Sequence, residues 1–141
     1  MLLSSQIDAI SQEALNSGFS FDNLNEIAMS DNLDFIVTAV WESSDILLCG
    51  GFELLIESEI DLDRLSDCYR RIGIPEFNSM IQAIKRLFSS NSENPTYQEL
   101  DKLLQRTENL EVLDVVNKEY YRLIDNNYLI AKISAFLKLQ G

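Results

Sequence analysis

The side chains that could do chemistry in this sequence are mostly carboxylates, because the chain contains no histidine. Its absence excludes Ser–His and Cys–His nucleophile pairs and the commonest general base and metal ligand. Two cysteines, Cys49 and Cys68, have a spacing that matches no metal or redox motif. No Asp-x-Asp-x-Asp-Gly loop indicates calcium binding. We therefore expect no catalytic residue, no metal and no other cofactor; a hydrolase that uses carboxylates alone is the least favoured alternative.

The two cysteines are expected to be structural. Cys49 has no basic neighbour in the sequence, which favours a small buried apolar group. Cys68 has Arg64 and Arg71 at i−4 and i+3, which would favour a thiolate at an exposed position. Because no general base lies near it in the sequence, a structural role is the favoured interpretation for Cys68 as well.

Negative charge is concentrated in the first half of the chain. The 141 residues include 23 acidic and 11 basic side chains, for a net charge of −12. Residues 1 to 63 hold thirteen carboxylates and no Lys or Arg, whereas residues 64 to 141 hold ten acidic and eleven basic residues. Such a field repels nucleic acid and anionic membranes and attracts basic surfaces. We therefore expect no direct binding to nucleic acid or membrane.

Eight carboxylates of the acidic half are the candidate partner-binding residues. A solvated helix face is the ordinary interpretation of such charges, but it normally interleaves cations, and none occurs in residues 1 to 63. On one helix, Asp34, Glu42 and Asp45 would fall within about an 80° sector. Two of the eight, Asp61 and Asp63, also suit the N-terminus of a helix. The full candidate set is Asp34, Glu42, Asp45, Glu53, Glu57, Glu59, Asp61 and Asp63.

A pair of glycines interrupts the longest helical pattern, in the stretch LLCGGFELLI. We predict that Gly50 adopts the left-handed conformation that ends a helix, and that Gly51 turns the chain so that Phe52 points into the core. Trp41, upstream in the same pattern, is predicted to pack in the core. A glycine nest for an anion is less favoured, because the carboxylates that follow would repel the anion.

Apolar residues recur at helical spacing along the chain, without sustained alternation of period two. The sequence therefore predicts an all-α fold, with residues 1–141 forming one compact domain of about seven helices. One of these helices is predicted to follow a capping box at Thr96 and Glu99. The apolar runs are shorter than a membrane span, and the N-terminus lacks an export signal. A cytoplasmic location with reduced thiols is expected.

Several short motifs occur in an order that resembles a known family. They are VWE at 40–42, LLCGGFELLI, YRRIGIPEFNSMIQAI and LDVVNKEYYRL. Together they are similar to motifs of the DNA-mimic protein family, a bacterial all-helical family largely of unknown function, over roughly residues 33–137. Cys49 stands where the family usually has Asn. The resemblance implies a helical fold, a homodimer and, in at least some relatives, binding to a DNA-binding protein in place of DNA.

These observations favour a non-catalytic acidic protein that binds a basic partner. From the resemblance, the partner would be a DNA-binding regulator, and the role would be transcription regulation. The alternative is an immunity or antitoxin-like protein that neutralises a basic nuclease toxin, because the same electrostatics would serve both.

Overall fold

A computed structural model describes residues 1–88, 102 and 106–140. Seven α-helices and no strand occur among these residues, which confirms the predicted all-α fold. The helices are α1 (Ser4–Asn16), α2 (Leu24–Met29), α3 (Leu33–Glu57), α4 (Leu62–Ile72), α5 (Glu76–Phe88), α6 (Thr107–Leu123) and α7 (Asn126–Gln140). A short 3-10 turn, Phe21–Asn23, precedes α2. The predicted capping box at Thr96 and Glu99 lies outside the described residues.

The central element is α3, which packs against α1, α2, α4, α6 and α7. Its side chains Ile36, Val37, Val40 and Leu47 are fully buried in the single hydrophobic core cluster. Among the described residues, α3 is also the helix that is long and apolar enough, by length and composition, to cross a membrane. Of its most apolar stretch, 61% is buried inside the fold, as in the core helix of a globular domain.

Aromatic side chains fill the space where α3, α4, α5 and α6 meet. The rings of Tyr69 and Phe77 stack with centroids 3.8 Å apart, and Phe52 meets Tyr120 edge-on at 6.0 Å. The Tyr69 hydroxyl lies 2.9 Å from Ser43 Oγ, so its polar atom has a partner inside the core. Burial raises the pKa of both tyrosines, which therefore remain neutral. Both side chains are fully buried and belong to the core.

Candidate functional site

The helix break predicted at the glycine pair occurs at Gly51. Its backbone angles, φ 67° and ψ −166°, lie in a region that is essentially accessible only to glycine. The prediction that Gly50 carries the left-handed conformation was wrong, because the residues before Gly51 keep helical angles. The break falls one residue later because α6 approaches there: a Cβ on Gly51 would lie 2.6 Å from Asn117 Nδ2. Phe52 then enters the core, fully buried as predicted.

Two side chains of α6 hydrogen-bond the backbone at this break. The backbone N–H of Phe52 donates to Asn117 Oδ1 at 2.9 Å, and the Tyr121 hydroxyl donates to the carbonyl of Leu47 at 2.7 Å. Asn117 Nδ2 also donates to Glu53 Oε1 at 3.0 Å. The sequence analysis missed Asn117 and Tyr121 as junction residues. Their i, i+4 spacing places them on one face of α6, but nothing in the sequence shows that this face crosses α3.

Three of the eight candidate carboxylates have structural partners. Asp61 caps α4, since its Oδ1 accepts from the backbone N–H of Arg64 at 3.2 Å, as predicted for that position. Asp63 forms an exposed ion pair with Lys85 at 2.6 Å. Glu53 is half-buried and held by Asn117. These interactions give each of the three a structural role that does not require a partner.

Three other candidates are exposed on or just beyond α3. Asp34 lies in the first turn of α3, where the helix dipole favours a negative charge. Glu57 is the last residue of α3, and Glu59, with φ 59°, lies in the turn that follows. In the part of the chain that the structure describes, none of the three forms an ion pair. Their charges therefore face solvent.

The remaining two candidates, Glu42 and Asp45, meet a third carboxylate from α1. Asp8 accepts a hydrogen bond from Trp41 Nε1 at 2.8 Å, which fixes it beside α3. Burial, followed by the negative charges of Asp45 and Asp8, raises the pKa of Glu42. Burial and the charge of Asp8 raise the pKa of Asp45. We call Asp8, Glu42 and Asp45 the carboxylate cluster. The structure thus adds Asp8, which the sequence analysis missed.

Trp41 holds one member of this cluster, Asp8, by a hydrogen bond. Its side chain is mostly buried, as predicted, while its indole N–H reaches Asp8 on the neighbouring helix. Ser11 lies one turn after Asp8 on α1. The Ser11 hydroxyl is buried and makes no hydrogen bond within the described part of the chain. No ion pair joins the cluster to a Lys or Arg among the described residues.

The cysteines occupy different environments. Cys49 is exposed, so its predicted burial was wrong; it lies with Leu48 on the side of α3 that faces away from the core. Cys68 is fully buried, and burial, with a smaller contribution from Asp67, raises the pKa of its thiol to about 12. The guanidinium of Arg71 instead donates to the carbonyls of Ala28 and Ser30. Cys68 is therefore an inert core residue.

The described residues contain no group of three or more His, Cys, Asp or Glu side chains that could hold a metal ion. Comparison with known proteins adds no relative: no protein-family model, curated protein or solved structure matches the chain. The resemblance to the DNA-mimic family stays a prediction that rests on the sequence motifs alone.

Proposed function

We propose that this protein is a non-catalytic acidic interaction protein that binds a basic partner protein through the surface formed by α1 and α3. The observation that carries the proposal is the carboxylate cluster, in which burial, followed by the charges of Asp45 on the same helix and Asp8 on α1, raises the pKa of Glu42. Like charges without counterions disfavour the ionised state at neutral pH. A basic surface that approached α1 and α3 would relieve this repulsion.

The charge distribution along the chain supports the same surface. Both helices come from the part of the sequence that has no Lys or Arg. From Asp34 to Asp45, exposed carboxylates extend over about 16 Å of α3, at roughly 1.5 Å per residue. Lys and Arg side chains that neutralise DNA phosphates could meet carboxylates at such spacing instead. The resemblance adds that the partner is a DNA-binding protein, such as a regulator, bound in place of DNA.

A capture experiment with a charge-reversed variant tests this function. Asp34→Lys/Asp45→Lys changes the net charge of the α3 surface by the same amount as Glu111→Lys/Glu119→Lys changes that of α6. All four positions are exposed. Each protein is used to capture partners from native cell extract at low and high salt, and the affinity for the captured protein is then measured. Thermal melts of both variants check that each is folded.

The α3 reversal should slow association strongly, whereas the α6 reversal should have a small effect, because surface charges act mainly on the encounter rate. Wild-type affinity should fall as salt rises, since the Debye length is only about 8 Å at physiological ionic strength. An affinity that is independent of salt and unchanged by the α3 reversal would refute the proposal. The identity of the captured protein also shows whether the partner is a DNA-binding regulator or a nuclease toxin.

A further inference from the structure

We propose that Leu48, Cys49 and Tyr121, an exposed apolar ridge on α3 and α6, form the docking site for an amphipathic helix of the partner that carries Lys or Arg beside its apolar face. The proposal rests on the function proposed above, because the ridge continues the acidic surface of α3. Asp45 of that surface lies three residues before Leu48. The ridge gives the partner an apolar contact in addition to an attraction between charges.

The fold brings the two large side chains of the ridge together from distant parts of the chain. The Tyr121 hydroxyl donates to the carbonyl of Leu47 at 2.7 Å, which places the tyrosine beside the backbone from which Leu48 projects. Leu47 itself is fully buried, whereas Leu48 is 60% exposed and Tyr121 is 41% exposed. Apolar side chains that adjoin one another at the surface are stabilised when a partner covers them.

Carboxylates lie at both ends of the ridge. Asp45 is exposed one turn before Leu48 on α3. Beyond the helix break, Glu53 accepts from Asn117 Nδ2 at 3.0 Å, and Asn117 lies one turn before Tyr121 on α6. Within the described residues, neither carboxylate forms an ion pair with a Lys or Arg. An apolar segment with cations on both sides complements this pattern, and a neutral or acidic segment does not.

The cations of α6 near Tyr121 leave this charge pattern intact. Lys118 is paired with Asp114 on its own helix, at 2.9 Å. Arg122 is turned by about 100° from Tyr121 around the helix axis. The carboxylates at the ends of the ridge therefore remain available to cations of a partner.

An α-helix suits the ridge because the ridge lies along the line where α3 and α6 meet. Apolar residues at i, i+3, i+4 and i+7 give a helix one continuous apolar face, which packs between two helices of another protein. Lys and Arg one turn away on either side of that face reach carboxylates at the ends, while their aliphatic stems extend the apolar contact.

Cys49, the third member of the ridge, makes docking measurable. Cys49 is exposed, whereas Cys68 is fully buried and the pKa of its thiol is raised to about 12. The neutral reagent iodoacetamide should therefore alkylate Cys49 selectively in the folded chain. A helix that lies on the ridge covers this thiol and slows its alkylation.

The probe is a synthetic peptide of leucine and lysine in which the leucines recur at helical spacing. A shuffled peptide has the same composition and charge but no apolar face, and a third peptide has glutamate in place of lysine. Each is titrated into the full chain at physiological salt, and the rate of Cys49 alkylation is followed by mass spectrometry. The first peptide should slow alkylation saturably, and the other two should have little effect. An absence of protection by the first peptide, or equal protection by the shuffled one, would overturn the proposal.

Leu48→Ser and Val115→Ser are matched variants that locate the site. Val115 is 63% exposed and lies about 120° from Tyr121 around α6, outside the ridge. Leu48→Ser should weaken binding of the amphipathic peptide roughly tenfold or more, as expected when a leucine contact is lost. Val115→Ser should leave binding unchanged, and thermal melts check that both variants are folded. Equal effects of the two substitutions would show that the peptide binds elsewhere.

Capture of the natural partner distinguishes failure of the ridge from failure of the proposed function. Loss of capture in both Leu48→Ser and Asp34→Lys/Asp45→Lys would support the ridge. Full capture by Leu48→Ser, together with loss of capture in Asp34→Lys/Asp45→Lys, would overturn the ridge but leave the acidic surface as the binding site. Full capture by both variants would refute the proposed function as well.

Discussion

Asn117 of α6 lies directly against Gly51, the residue at which α3 breaks. A Cβ on Gly51 would stand 2.6 Å from Asn117 Nδ2, a distance that real Cβ contacts do not reach. The same amide accepts the backbone N–H that the break exposes on Phe52. The position therefore needs glycine for two reasons, the backbone conformation and the proximity of the amide.

Gly51→Ala should destabilise the fold by more than the conformational strain alone, which is about 1–3 kcal/mol for a non-glycine residue in such a region. The added Cβ also forces Asn117 away from the Phe52 N–H. Gly18 is a matched control, because it has φ 104° and nothing within 4 Å of its Cβ position. Urea unfolding of both variants measures the difference. Equal losses of stability would show that the contact with Asn117 contributes nothing.

Asn117→Ala should reduce the free energy of unfolding by about 1–3 kcal/mol, because the Phe52 N–H would lose its partner. Glu53→Gln should have a much smaller effect, since its side-chain oxygen can still accept from Asn117 Nδ2. Chemical denaturation of the two variants and of the double variant measures the free energy of interaction between Asn117 and Glu53. If Glu53→Gln destabilises as much as Asn117→Ala, the hydrogen bond to the charged Glu53 carboxylate is the main contribution of Asn117.

Asp61→Ala should destabilise α4 by about 1 kcal/mol, because Asp61 Oδ1 accepts the backbone N–H of Arg64. Asp61→Asn should be close to wild type, since Asn is an equally good N-cap residue. Thermal melts compare the three proteins. The pair of variants also distinguishes the structural role of Asp61 from a role in partner binding, because Asp61→Asn removes the charge and keeps the cap. Equal destabilisation by both changes would contradict a capping role.

The sequence predicted the elements of this fold better than their contacts. Helical spacing and the glycine pair predicted α3 and its break, because both signals are local. The apolar stripe ends just before Gly50, which is why the sequence predicts the helix-ending left-handed conformation at that residue. Asn117, 66 residues beyond Gly51 in the chain, approaches Gly51, and the break therefore occurs there. Asp8 was missed for the same reason, since its place beside Glu42 depends on how α1 packs on α3. Contacts between distant segments leave no periodic signal in a single sequence.

The carboxylate cluster makes the stability of the fold depend on pH in a defined direction. The pKa of Glu42 and that of Asp45 are raised above their ordinary values of 4.5 and 3.8, so the folded state binds protons at a higher pH than the unfolded chain does. Their ionised forms therefore destabilise the fold at neutral pH, and this effect is relieved as pH falls through the raised pKa values.

Glu42→Gln/Asp45→Asn removes these charges, so it should melt at a higher temperature than the wild type at pH 7. Because protonation neutralises the same groups in the wild type, the difference should shrink as pH falls toward 4. Glu57→Gln/Glu59→Gln removes the same formal charge elsewhere and corrects for the net charge of the protein. Melts of the three proteins between pH 7 and pH 4 measure the two differences. If the cluster variant is no more stable at pH 7 than this control, the burial and mutual repulsion of the ionised carboxylates do not destabilise the folded state.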